Sequence, residues 1–226
     1  MHRLTALLLC FALAATLLAR PDKVPDFTKA DLKELGIKLV KPTRDKNTGF
    51  VVGGKNATAL IGKLKEIAGR SIAELEKDMR PGAFSTKGFL GKDERLLDIM
   101  VADNRDVVDK LGLTHQELAR HLHLLGAVAV KHAFGKSAEI AYHGKKFRVR
   151  AICWRGFQHS PFKDGTKTNC DVTVENLSNG KKIGYSLLVP YMIERYGFYE
   201  GKGTPYRVEP KKVLEVLDFL KPAKAR

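Results

Sequence analysis

The chain has 226 residues, 40 Lys and Arg against 25 Asp and Glu, and 44% hydrophobic residues, which gives a net charge of +15. That length is enough for a real core in one domain or two small ones, and no internal repeat or low-complexity segment argues for a solenoid or a disordered chain. The positive charge is spread along the sequence, so it suits anionic envelope polymers, a membrane surface or simple solubility without naming a partner.

The first 19 residues read as an export signal. Met1, His2 and Arg3 precede an uncharged run rich in Leu and Ala over 4–19, and Arg20 and Pro21 follow it. Cleavage after Ala19 is expected, with Ala14 as a second position. The apolar run is short for a bilayer span, so no transmembrane span is expected after cleavage. Cleavage also removes Cys10 and leaves two cysteines, Cys153 and Cys170. An exported location, periplasmic or secreted, favours a disulfide between them.

Residues 20–136 read as a mainly helical part. Thr28 with Asp31 starts a short helix to Leu35, and residues 37–41 and 50–52 form a small hairpin. Gly49, Gly54 and Lys55 approach the spacing of a phosphate-binding loop. Asn56 stands where that loop needs Ser or Thr, however, and the apolar strand lies inside the loop rather than before it. Gly53 and Gly54 are read as a turn and Asn56 as a helix cap.

A helix over 57–68 carries Leu60, Ile61, Leu64, Ile67 and Ala68 on one stripe, and Ser71 with Glu74 starts another that ends near Arg80. A loop over 81–91 leaves Phe84 and Phe89 looking exposed. Two further helices are expected over 92–111 and 115–134, the second capped by Thr114 and Glu117. Asn104 falls at the centre of the buried face of the first and Asp103 at its edge, so both are buried polar candidates that tie helices together or serve a site.

Residues 137–226 read as an antiparallel sheet followed by helices. Phe147, Val149, Ala151 and Cys153 alternate on one face of a strand over 145–154, which meets 139–142 across His143 and Gly144. Cys170, Val172 and Val174 share the core face of the next strand, which turns at Asn179 and Gly180 into a strand over 182–189. Both cysteines therefore face the same interior. A bridge closing about 17 residues is worth ~3 kcal/mol in the chain-entropy model. Outward, Arg148 and Arg150 would lie over Asp171 and Glu175 if these strands pair. The segment 155–169 reads as a long loop, Pro190 opens a helix through Tyr196, 205–208 form a last strand, and 211–220 the final helix.

The fold class is α+β: a helical N-terminal half with a small β-hairpin, packed on an antiparallel sheet of about four strands with C-terminal helices. The two parts are compatible with one domain. No cofactor motif appears. Cys153, His159 and Cys170 lack the close paired spacing of a structural zinc site, so no metal is expected.

Trp154, Arg155, Phe157, His159, Tyr191, Arg195, Tyr196 and Tyr199 gather aromatics and arginines around the two ends of the second hairpin, a composition common at binding surfaces. The first expectation is therefore a non-enzymatic exported module that binds an anionic envelope polymer, a small ligand or a protein partner. Export and the lack of an aromatic-rich RNA-binding signature argue against nucleic acid. The alternative is an extracytoplasmic hydrolase using His159, or Asp103 and Asn104 with His115 or His121, or a cysteine nucleophile beside His159.

Overall fold

A computed structural model describes residues 57–83 and 85–220. The export signal, the helix to Leu35, the hairpin over 37–52, the loop around Gly53 and Gly54, Asn56 and Phe84 lie outside the described residues.

The alternation around Phe147 has its expected outcome. Strand β3 (Ser137–Tyr142) turns through His143 and Gly144, at φ 48° and 72°, into β4 (Lys145–His159). Two consecutive left-handed residues match the right-handed twist of the flanking strands. His143 holds that conformation with its ring stacked on Phe219, centroids 4.2 Å apart. Strands β5 (Lys167–Asn176) and β6 (Lys182–Ser186) complete an antiparallel sheet in the order β3-β4-β5-β6. Phe147, Val149 and Ala151 share its buried face with Val172, Val174, Ile183 and Tyr185.

Before the sheet come α1 (Ala57–Ile61), the two-residue strands β1 (Glu66–Ile67) and β2 (Arg70–Ser71), α2 (Ile72–Met79) and α3 (Leu96–Asn104), with a π-helical turn over Arg105–Lys110. The helix expected over 57–68 therefore stops at Ile61. Ala68 and Gly69, both left-handed at φ 55° and 75°, instead close a hairpin whose apolar residues had mimicked a helical stripe. The Ser71 and Glu74 capping box forms as read. Phe89 is buried rather than exposed, because the backbone N–H groups of Phe89 and Leu90 both donate to the carbonyl of Met79 and fold the loop inward.

Helix α4 (His115–His132) lies on the buried face of the sheet. Gly126 lets it come close: a Cβ there would sit 2.7 Å from Cδ2 of Leu187, and the Tyr185 hydroxyl donates to the carbonyl of Leu122. Beyond β6 the chain forms α5 (Leu188–Tyr196), so Leu188 and Val189 belong to a helix rather than to the strand, and Pro190 sits inside its first turn. Gly197 closes it at φ 60°. The strand expected over 205–208 does not form. The final helix is α6 (Pro210–Val216), shorter than its apolar pattern suggests.

The buried core runs without a break from Ile61 to Leu217, joining helices and sheet. Asn176 directs its side-chain nitrogen to the carbonyl of Val216 and to Asp218, so the amide of the Asn176-Leu177-Ser178 sequon is committed inside the fold. No helix among the described residues is long and apolar enough to cross a membrane.

Candidate functional site

The segment read as a long loop is mostly strand, and its irregularity makes the site. Cys153 pairs with Cys170 and Gln158 with Thr168, so residues 154–157 of β4 bulge out opposite Asn169 alone. Extra residues in one strand break the ladder and re-aim their side chains. Gly156, at φ 89°, permits the bend. Only the loop over 160–166 remains between the strands.

Cys153 and Cys170 form a disulfide where the regular pairing ends. Neither sulfur is then a thiolate, which removes the cysteine-nucleophile reading. The bridge ties β4 to β5 at the base of the bulge.

From the bulge rise Trp154, Arg155 and Phe157. Among the described residues four large hydrophobic side chains are exposed, and three of them line one open cleft of about 540 Å³: Trp154 at 59%, Phe157 at 57% and Tyr206 at 37%. The loop after α2 supplies Ser85, Thr86 and Lys87 to one wall, and Asn169, Cys170 and Asp171 come from β5.

The aromatic groups are held in place by polar contacts. The indole N–H of Trp154 donates to Asp171 at 2.8 Å, and Asn169 donates to the Trp154 carbonyl at 3.1 Å. Partial burial pushes the Asp171 carboxyl above its ordinary range, against the pull of that indole hydrogen bond. The negative charge of Asp171, with burial and Glu200 behind it, raises the Tyr206 phenol. The ammonium of Lys167 lies 4.6 Å from the centre of the Phe157 ring. Lys87 and Arg155 have no side-chain partner among the described residues.

The expected binding residues divide. Trp154, Arg155 and Phe157 meet in the cleft, while His159 is exposed near the end of β4 and does not line it. Tyr191, Tyr196 and Tyr199 are buried. The first two donate to Asp164 at 2.9 and 2.7 Å, and Arg195 lies over both their rings, 5.6 and 5.8 Å from the centroids. These three tyrosines and Arg195 are therefore parts of the interior and its edge, because α5 packs Tyr191 and Tyr196 toward α4 and the 160–166 loop, and Tyr199, beyond the helix, bonds to His115.

The polar set on the helices comes together away from the cleft. Asn104 donates to Thr58, whose hydroxyl donates to Asp109, so the Asn104 oxygen is left to accept from Nε2 of His115 at 3.0 Å. Nδ1 of His115 must then accept from the Tyr199 hydroxyl, 2.9 Å away. Burial pushes the His115 pKa down to about 4 and keeps the ring neutral. His115 thus contacts an amide and a phenol rather than the carboxylate that a His-centred hydrolase needs.

Asp103 receives two hydrogen bonds from Arg207, at 2.6 and 3.1 Å, and Arg207 also donates to Glu209 and to the carbonyl of Glu200. Burial lifts the Asp103 carboxyl to about 6 against the pull of the guanidinium, leaving it ionised at neutral pH. Removing either partner would strand a buried charge, so the pair fixes the chain after α5 against α3.

Sequence reasoning missed Lys87, Asn169, Asp171 and Tyr206 as cleft residues. The bulge depends on a register shift between two strands, and the wall from the 81–91 loop depends on tertiary contact alone. No protein-family model, curated protein or solved structure matches the chain.

Proposed function

We propose that this protein is an exported, non-catalytic binding module of the cell envelope or extracellular space, and that the cleft at Trp154 is its binding surface. The convergence of Trp154, Phe157 and Tyr206 on one cleft carries the reading. Exposed apolar side chains scattered singly are ordinary, but a contiguous group held by polar neighbours fits a ligand surface. The signal-like N-terminus and the disulfide support an oxidising destination.

The test is retention of the purified full chain on insoluble cell-envelope material. Retention is expected for the native protein and should be lost in the Phe157→Ala, Tyr206→Ala double variant while its disulfide and unfolding midpoint persist. Equal retention of the double variant would place the binding surface elsewhere. Turnover of the envelope polymer by the native protein would contradict a non-catalytic module.

A further inference from the structure

Resting on the binding-module reading, we infer that the cleft takes an anionic polysaccharide, one whose sugar rings carry carboxylate or sulfate groups. Three features of the cleft select this class.

The first is the exposed Trp154 indole, anchored through its N–H by Asp171. A flat ring fixed at one edge and open to solvent offers a face to the C–H groups of a pyranose.

Polar chemistry supplies the second feature. Asp171 and Asn169 lie beside Trp154, and Gln158 also lines the cleft. A carboxylate only accepts hydrogen bonds, so Asp171 favours a ligand bearing hydroxyl donors. A polymer of bare anionic groups would meet repulsion there.

Charge supplies the third. Lys87 and Arg155 line the cleft with no side-chain partner among the described residues, and Lys167 stands at the Phe157 ring just outside the lining. The cleft lining thus combines cationic groups with a hydrogen-bond-accepting carboxylate. A sugar chain with acidic substituents presents the complementary pattern: apolar ring faces, hydroxyls, and negative charge at its margin.

The lone tryptophan of the chain is Trp154, so its emission reports on this cleft and on nothing else. The full-length, oxidised protein is titrated with polygalacturonate, its methyl-esterified form, dextran sulfate, poly-L-glutamate and oligo-dT. Polygalacturonate or dextran sulfate is expected to saturate the signal, and which binds tighter identifies the carboxylate or the sulfate source. The esterified form should bind at least roughly tenfold more weakly than polygalacturonate, and Lys87→Ala or Arg155→Ala should each weaken binding of the acidic sugar by about tenfold.

Equal binding of the ester would overturn the anionic requirement. Tighter binding of poly-L-glutamate or oligo-dT would overturn the sugar class. No response to any probe would overturn the inference. If envelope retention persists in any of these cases, the module reading stands without it. If retention is also absent, both fall.

Discussion

The two halves of β4 use the same residue types to opposite ends. Up to Cys153 the strand alternates, burying Phe147 completely while Arg148 reaches Glu139 and Glu175 across its outer face. Beyond Cys153 the bulge exposes Trp154 and Phe157 and leaves Arg155 without a side-chain partner among the described residues. An aromatic residue or an arginine thus has no fixed meaning; the pairing register decides whether it stabilises the fold or faces a ligand. The disulfide marks the boundary, and Cys170 itself reaches the cleft.

Truncation on the two sides should separate these roles most sharply. Phe147→Ala removes a fully buried ring and is expected to cost about 3–5 kcal/mol of stability by urea unfolding. Trp154→Ala, at an exposed position, should cost below about 1 kcal/mol yet lose binding. Equal losses of stability would mean that the bulge belongs to the core.

Opening the boundary comes next. The Cys153→Ser, Cys170→Ser double variant frees a loop with a sequence separation of 17 and should lose about 3 kcal/mol in the chain-entropy model. Its ligand affinity should fall more than that of any variant in the regular half of β4 that stays folded, because the base of the bulge is no longer pinned. Unchanged affinity would show that the bulge holds its shape without the bridge.

A smaller effect tests the buried Glu200 carboxyl, whose charge is felt at Asp171 and Tyr206. Burial raises the Glu200 carboxyl to about 8, and the side chain accepts from Thr204. Because the unfolded carboxyl ionises near 4.5 and the folded one near 8, the associated stability is full below 4.5 and lost as the pH rises through 8. Between pH 6.5 and 8 this amounts to about 2 kcal/mol. Glu200→Gln should flatten that decline in urea unfolding. His115 works in the other direction: its folded pKa of about 4 leaves its contribution intact above 6.5 and erodes it as the pH falls toward 4. His115→Gln should remove part of the acid-side loss.

The regular half of β4 was legible because side-chain period and core face coincide, and the same period put Cys153 and Cys170 on facing core sets. Asn104 was legible as a buried amide from the helical stripe alone. The bulge was not, since a register shift is a property of two strands and Trp154 to Phe157 carry no local mark of what Asn169 does opposite. Tyr191, Tyr196 and Tyr199 misled because an amphipathic ring serves interior and surface equally, and only the packing of α5 and of the segment after it distinguishes them. Tyr206 was hidden by the strand-like appearance of its segment, where Arg207 instead turns inward to Asp103.

Iodide quenching of Trp154, measured free and with envelope polymer bound, decides whether this cleft is the binding surface. Ready quenching is expected in the free protein, with iodide drawn in by Lys87 and Arg155, and protection at saturating polymer. A tryptophan shielded in the free protein, or quenched equally in the complex, would contradict the claim that this cleft is the binding surface.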